Sequence, residues 1–294
     1  MKFLTLENGY LGAVIEDTAV DLGAAARELV ATLPAETLLD LVRAPEGAAA
    51  EVWAIAHRAV ALGVACRPLA EVRPLAPIPS PQRNIFCLGL NYRAHVKEFE
   101  KNQELPDAPI VFTKSTTSIA APGDDIPAHT DVTQGVDYEA ELALVLGRDG
   151  RDIEPADAWD HVFGYTAIND VTARDLQKTH KQWFLGKSLD GFAPMGPLLV
   201  HRSVMPAASE ITVRSHINGE LRQDSTFDNL IFDVPTIIAT LSRGATLLAG
   251  DIIATGTPAG VGIGLDPPKF LQPGDEVIVE VTGVGPLINR VAPG

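Results

Sequence analysis

Apolar and polar positions alternate with two different periods along the first part of the chain. Residues 4–6 and 10–15 have the pattern of short strands and flank Asn8-Gly9, a strong tight-turn signal. Helical stretches are predicted at 24–33 and 48–62, and the second has apolar residues at helical spacing. These elements together predict a small N-terminal α/β module.

A proline-rich segment connects this module to the rest of the chain. Its prolines favour a stiff, extended backbone, and they are Pro74, Pro77, Pro79 and Pro81. We therefore predict an accessory module at residues 1–78 and a larger domain at residues 79–294.

The larger domain is dominated by short runs typical of strands. Eight such runs lie at 84–89, 109–113, 138–146, 161–168, 197–200, 210–217, 251–255 and 276–282. Helical patterns interrupt them near 92–101, 172–183 and 234–243. Because so few helices separate the strands, the pattern favours a β-rich α+β fold over a doubly wound sheet.

Composition narrows the classes of partner. The chain has 294 residues, 46% hydrophobic and 21% charged, enough to bury one large core or two modest ones. Its 38 acidic and 23 basic residues give a net charge of −15, which argues against a nucleic-acid partner or an anionic membrane surface. A small acidic ligand would need local positive charge, which a bound cation could supply.

The number of cysteines and the length of the apolar runs indicate the cellular compartment. Cys66 and Cys87 are too few for a disulfide framework or a zinc cluster, and Cys87 lies in an apolar run that favours a buried, inert thiol. No apolar run approaches the length of a membrane span, and the first residues lack the pattern of a signal peptide. We expect a cytoplasmic protein.

An unusual strand pattern lies at 136–146, where acids precede an apolar run. Glu139 and Glu141 are two positions apart and therefore point to the same face, with Asp137 behind them. Carboxylates crowded at the edge of a core usually share a cation. The alternative is an exposed strand face in contact with solvent.

A third acid follows the next predicted strand. Asp170 precedes a helical pattern, so it could simply be the N-cap of that helix. Arg174 and Gln177 follow at helical spacing, which would place all three on one face. Such a polar cluster favours a ligand or an ion.

Two glycine-containing segments could bind anions. Gly186-Lys187-Ser188 is not a P-loop, because position 181 is Lys181 where the motif needs glycine. Lys187 either anchors an anion or is a solvated lysine. The turn at 255–262 exposes backbone N–H groups that can bind an oxyanion or a carboxylate, although turns need glycine anyway.

A histidine and a glutamate at 95 and 98 complete the candidate chemistry. At the start of a helix, His95 and Glu98 can hydrogen-bond, and a carboxylate-oriented imidazole is a common general base. The alternative is an exposed surface pair.

These motifs, in this order, resemble the fumarylacetoacetate hydrolase family over roughly residues 80–294. The matching segments are Gly89-Leu90-Asn91-Tyr92 with His95 and Glu98, Asp137-Tyr138-Glu139-Ala140-Glu141-Leu142, 169–177, 186–197 and 255–262. The resemblance implies a mixed β-sandwich roll, usually dimeric, preceded by a module of varied size.

The resemblance also implies roles for individual residues. Glu139, Glu141 and Asp170 match ligands of a divalent metal, most often Mg²⁺ with Mn²⁺ as an alternative. His95 and Glu98 match a water-activating dyad. The positions that hold substrate or stabilise negative charge are matched by Arg174, Gln177, Lys187, Gly256 and Thr257.

The resemblance has one departure that affects the substrate. The large eukaryotic founding enzyme adds a fourth metal carboxylate, and residues 89–91 offer no counterpart. Shorter bacterial members acting on acylpyruvates, oxaloacetate or unsaturated hydroxy-diacids are more similar.

The resulting expectation is a metal-dependent hydrolase that cleaves a carbon–carbon bond in an acylpyruvate-like 2,4-dioxo acid. Alternatives are an oxaloacetate decarboxylase or a 2-hydroxyhepta-2,4-diene-1,7-dioate isomerase on the same site. A non-catalytic oxo-acid-binding protein is disfavoured, because a binder has no use for both His95 and Glu98.

Overall fold

The computed structural model describes residues 1–99 and 104–293. The last two residues of the helical stretch predicted at 92–101 therefore lie outside the described residues. No helix in these two described ranges is both long and apolar enough to cross a membrane.

Twenty strands and seven α-helices make up the described chain. The first ten strands are β1 (Lys2–Thr5), β2 (Leu11–Ile15), β3 (Thr18–Asp21), β4 (Cys66–Pro68), β5 (Ile85–Gly89), β6 (Ile110–Lys114), β7 (Ile119–Ala120), β8 (Asp125–Ile126), β9 (Val136–Asp137) and β10 (Ala140–Leu146). The others are β11 (Gly150–Arg151), β12 (Val162–Asn169), β13 (Thr172–Ala173), β14 (Ala193–His201), β15 (Thr212–Ile217), β16 (Glu220–Thr226), β17 (Thr246–Leu247), β18 (Ile252–Ala254), β19 (Glu276–Val281) and β20 (Gly285–Val291). The helices are α1 (Leu22–Glu28), α2 (Leu38–Arg43), α3 (Ala48–Leu62), α4 (Arg93–Phe99), α5 (Arg174–His180), α6 (Phe184–Lys187) and α7 (Val234–Ser242).

Two large sheets form the scaffold. Eleven strands form the first sheet in the order β4-β3-β2-β1-β14-β12-β10-β18-β5-β6, with β7 paired to β14. The second sheet has the order β16-β15-β19-β20-β8. Every residue of β10 and β12 is buried, which explains their nearly continuous apolar sequences.

Side chains of β10 alternate between two hydrophobic clusters. Leu142 and Leu144 pack in the cluster that includes Val279 of β19 in the second sheet. Ala143 and Val145 belong to the other cluster, which includes core residues of α1, α2 and α3. The first sheet is therefore covered on one face by helices and on the other by the second sheet. This arrangement confirms the predicted β-rich α+β class and its sandwich.

The N-terminal strands continue the first sheet. Strand β1 pairs antiparallel with both β2 and β14, so residues 1–78 and the larger part share one sheet and one core. In the proline-rich segment, Ala76 and Ile78 are buried, and Thr5 Oγ1 donates a hydrogen bond to Pro77 O at 2.7 Å. A domain boundary near residue 78 stays a prediction.

The N-terminal helices differ in part from the sequence pattern. Helix α3 has the predicted bounds and ends at Gly63, whose φ of 66° suits a glycine cap. Helix α1 is displaced from the predicted 24–33, because the Asp21 side chain accepts a hydrogen bond from Ala24 N and starts the helix earlier. Helix α2 was not predicted, although Thr37 and Asp40 form a capping box at its start.

Candidate active site

Antiparallel pairing of β10 with β12 brings the three candidate acids together. Glu141 is opposite Ile168, and just beyond the paired strands Asp170 N donates to Glu139 O at 2.8 Å. One carboxylate oxygen from each of Glu139, Glu141 and Asp170 lies within 4.8 Å of the others, and all three residues are buried. The strand carrying the acids therefore does not have a solvent-washed face.

Asp170 reaches this cluster for a different reason from the one predicted. Helix α5 starts at Arg174, with Ala173 as its N-cap residue, so Asp170 is neither a helix cap nor on a helical face. Residues Thr172–Ala173 instead form β13, which pairs with β9. The helical spacing holds only for Arg174 and Gln177, whose Nη1 and Oε1 atoms are hydrogen-bonded at 3.2 Å.

Three buried cations surround the acids. Lys187 Nζ donates to Glu139 Oε2 and to Asp170 Oδ2, both at 2.8 Å, so it is not a solvated lysine. Arg174 Nη1 lies 2.6 Å from Glu139 Oε1, and its Nε donates to Asp137 Oδ2 at 2.8 Å. The orientation of the Glu139 carboxylate is thus fixed by Lys187 and Arg174.

The third cation, Lys114 at the end of β6, was missed by the sequence reasoning. Its Nζ donates to Asp170 Oδ1 at 2.6 Å and to Val171 O at 3.0 Å, and the side chain is fully buried. A lysine at the end of a strand resembles any solvated lysine in sequence. Only the fold shows that its partner is 56 residues away.

Glu141 differs from the other two acids because no cationic side chain in the described part of the chain is paired with it. It forms no ion pair with a described residue, and its Oε2 accepts a hydrogen bond from Gly256 N at 2.7 Å. Burial, followed by the charges of Asp170 and Glu139, raises the pKa of Glu141 well above its usual value. Burial also acts to raise the pKa of Glu139, but Lys187 and Arg174 outweigh it and hold that pKa at about 2.

The cluster therefore fits a hard divalent cation. All three possible ligands are carboxylate oxygens, which Mg²⁺ and Mn²⁺ prefer. A cation beside Glu141 would also remove the like-charge repulsion that perturbs its pKa. Glu139, Glu141 and Asp170 are the residues that would hold it.

The glycine-rich turn binds carboxylates, and these belong to the protein itself. Gly256 N donates to Glu141, Gly260 N donates to Glu98 Oε1 at 2.6 Å, and Gly262 N donates to Asp137 Oδ1 at 2.7 Å. Glycine is required at Gly260, because φ is 108° and a Cβ would lie 1.9 Å from Arg222 O. One turn thus orients three acids of the site.

Thr257 anchors this turn to β10. Its Oγ1 donates to Ala140 O at 2.9 Å and accepts from Gln223 Nε2 at 2.7 Å. Because both bonds are buried, the threonine holds the turn beside the acids.

Helix α4 carries a buried histidine–glutamate pair. His95 Nδ1 lies 2.8 Å from Glu98 Oε2, and their side chains are 6% and 12% exposed, which excludes an exposed surface pair. Since Gly260 N binds the other oxygen of Glu98, the carboxylate is fixed from both sides. When Nδ1–H donates this hydrogen bond to the Glu98 carboxylate, Nε2 is the basic nitrogen of the neutral ring.

A cavity of ≈ 360 Å³ joins the histidine to the acid cluster. Its polar lining includes six of the predicted site residues: His95, Glu139, Arg174, Gln177, Lys187 and Thr257. Its apolar lining is formed by Leu88, Leu90, Phe112, Trp183 and Ile263. The cavity can therefore hold a small anionic molecule with a short carbon chain.

Aromatic residues that the sequence reasoning did not identify shape the apolar wall. The rings of Phe112 and Trp183 meet edge to face with centroids 5.3 Å apart, and Lys187 Nζ lies 4.9 Å from the centroid of Phe112. A Cβ at Gly89 would lie 2.3 Å from the Trp183 ring, so glycine allows the indole to pack on the backbone. Aromatic residues at 112 and 183 carry no sequence signal that separates them from core residues.

A β-sandwich with a buried carboxylate cluster beside a carboxylate-oriented histidine places the protein among enzymes of the fumarylacetoacetate hydrolase type. Residues 84–292 match the family described as Fumarylacetoacetate (FAA) hydrolase C-terminal. The chain belongs to this family, as its motifs predict.

Named relatives extend the similarity over the whole chain. The oxaloacetate tautomerase YisK of Bacillus subtilis (strain 168) is 45% identical over 301 residues, covering 99% of this chain and 100% of the relative. A fumarylacetoacetate hydrolase structure from psychrophilic Exiguobacterium antarcticum is 39% identical, with a TM-score of 0.82 and full coverage of both chains. A maleylpyruvate hydrolase structure from Sphingobium is 30% identical, with a TM-score of 0.78 and full coverage of both chains.

Proposed function

We propose that the protein is a divalent-metal-dependent enzyme that interconverts the enol and keto forms of oxaloacetate or a closely related 2-oxo diacid. The observation that carries this proposal is the buried His95–Glu98 pair, in which His95 lines the same cavity as Glu139, Arg174 and Lys187. Similarity along the full chain to an oxaloacetate tautomerase supports it.

Proton transfer explains what the residues of this chain would do. A cation held by the three acids would supply electrophilic assistance at the 2-oxo end of the substrate. His95 would remove a proton from carbon 3, and the oxygen on carbon 2 would take up a proton from solvent. The bond between carbons 2 and 3 becomes double in the enol, the reverse transfers regenerate the keto acid, and no carbon–carbon bond is broken. Glu98 would stabilise the imidazolium formed at His95.

Hydrolysis of an acylpyruvate is a second candidate that the same pair favours. His95 would take a proton from water, and the resulting hydroxide would attack the distal carbonyl carbon. Breaking the bond between carbons 3 and 4 would release the enolate of pyruvate, which His95 would protonate at carbon 3. Lys187, Arg174 and Gln177 would stabilise negative charge, since they line the cavity beside Glu139. Oxaloacetate decarboxylation would need only the enolate-forming half of this chemistry.

Ultraviolet absorbance, total oxaloacetate and the products formed distinguish the tautomerase, decarboxylase and hydrolase activities. With magnesium present, we expect the protein to accelerate the decay of enol-oxaloacetate absorbance, with no loss of total oxaloacetate. Loss of total oxaloacetate with formation of pyruvate would identify a decarboxylase. Cleavage of a 2,4-dioxo acid into pyruvate and a carboxylic acid would identify the hydrolase. No change in any assay would contradict an enzymatic role and favour a binding protein.

We also propose a homodimer, as the family resemblance implies. Phe184 and Leu185 of α6 are 42% and 48% exposed in the single chain, and such apolar side chains are often covered by a second subunit. Sedimentation equilibrium at micromolar concentration should give twice the chain mass of 31.3 kDa. A mass equal to that of one chain would contradict the proposal.

A further inference from the structure

Helix α5 places a second lysine in the wall of the cavity. Lys178 lines the cavity together with Arg174 and Gln177, and these positions are neighbours on one helical face. Unlike the buried Arg174, Lys178 is exposed, so it lies where the cavity opens to solvent. The family motifs give this position no role.

Lys178 differs from the other cations of the cavity in its partners. Arg174 and Lys187 are paired with acids of the site, and His95 is paired with Glu98. Within residues 1–99 and 104–293, no acid forms an ion pair with Lys178. Its charge is therefore available to a ligand in a protein whose net charge of −15 would otherwise repel a dianion.

A second observation indicates that this face of α5 binds an anion. Arg174 Nη2 is buried and has no hydrogen-bond partner among the described residues. A buried guanidinium nitrogen without an acceptor is costly, and a carboxylate in the cavity would satisfy it. We therefore expect anionic ligand atoms along the face of α5 that carries Arg174 and Lys178.

We propose that Lys178 binds the distal carboxylate of a 2-oxo diacid and makes the site prefer diacids over monoacids. The proposal rests on the proposed function only in placing the 2-oxo end of the substrate near Glu139. Lys178 lies about one helical turn, about 5.4 Å, beyond Arg174 along α5. The two carboxylates of a short diacid have a comparable separation. The competing occupant is a monoacid whose apolar chain packs on Phe112 and Trp183.

Titration calorimetry with two probes of equal carbon number tests this assignment. 2-Oxoglutarate ends in a carboxylate, whereas 2-oxovalerate ends in a methyl group. In the presence of magnesium, we expect wild type to bind 2-oxoglutarate more tightly. Lys178→Gln should lose about two- to fivefold in affinity for 2-oxoglutarate, the range for an exposed ion pair, and nothing for 2-oxovalerate. Added salt should weaken the preference of wild type.

Two further variants control the experiment. Lys181→Gln removes the same charge from an exposed position three residues away that does not line the cavity, and it should bind both probes as wild type does. Lys178→Arg should keep the preference for the diacid. The proposal would be overturned if Lys178→Gln affected both probes equally or affected neither of them. It would also be overturned if wild type bound neither probe.

Binding and turnover separate the two proposals. If oxaloacetate is not converted but the preference for the diacid depends on Lys178, the proposed reaction fails and the diacid site stands. If oxaloacetate is converted and Lys178→Gln discriminates as wild type does, the diacid site fails and the reaction stands.

Discussion

Removing the metal should abolish activity, and replacing Glu141 should have the same effect. Dialysis against a chelator should lower the rate by more than about 10³-fold, because electrophilic assistance by a metal is worth several kcal/mol and each 1.36 kcal/mol is tenfold in rate. Magnesium or manganese should restore it. Glu141→Ala should lose the rate and not recover, since the site then lacks one of its three carboxylates. Calorimetric titration with Mg²⁺ should show directly that Glu141→Ala has lost its affinity for the metal.

The fold of Glu141→Ala should survive. The rest of β10 is held by apolar packing, and the raised pKa of Glu141 shows that its charge is disfavoured in the folded protein. The melting temperature without metal should therefore not fall. Glu51→Ala, on the exposed face of α3, is the matched control and should bind Mg²⁺ normally. Unchanged Mg²⁺ affinity in Glu141→Ala would exclude the three acids as the metal site.

The acids could be identified from sequence because their signal is local. Glu139 and Glu141 are two residues apart at the start of an apolar run, and alternation along the strand predicted at 138–146 is enough to place them on one side. In the structure, Glu139 immediately precedes β10. The same period identified eight strands, all of which correspond to strands in the structure. Ordered motifs then added Asp170, whose place depends on the pairing of β10 with β12.

Other parts of the site could not be predicted because their partners are distant in sequence. Lys114 is a site residue only because the fold buries it against Asp170. Asp137 is placed behind the acids by its sequence position, but its contacts with Arg174 and with Gly262, 125 residues later, require the closed fold. Neither interaction leaves a periodic pattern.

Strand β16 shows the same limit for secondary structure. Its sequence, Glu220–Thr226, is largely polar, and it lies at the edge of the second sheet. Backbone pairing with β15 defines it, and side-chain burial contributes little. Period-2 reasoning depends on a buried face, so it identified β15 and β19 but not this edge strand.

Replacing His95 with Ala should separate the reactions that need a general base from the one that does not. Tautomerisation of oxaloacetate and hydrolysis of an acylpyruvate should each fall by roughly 10²–10⁴-fold, the usual contribution of a positioned base. Decarboxylation of oxaloacetate should fall much less, because carbon dioxide leaves without removal of a proton from carbon. All three rates should be measured at saturating magnesium for wild type and His95→Ala.

Magnesium affinity and chemical rescue show whether the loss comes from the imidazole itself. His95 is not one of the three clustered acids, so His95→Ala should bind Mg²⁺ as wild type does. Added imidazole should restore part of the tautomerase rate, since the cavity left by the side chain adjoins the substrate site. His180→Ala, at the exposed end of α5, should retain all activities. Equal losses in all three reactions without rescue would mean that His95 only orders the site around Glu98. No loss in any of them would remove the base from the mechanism and leave the function to the metal cluster alone.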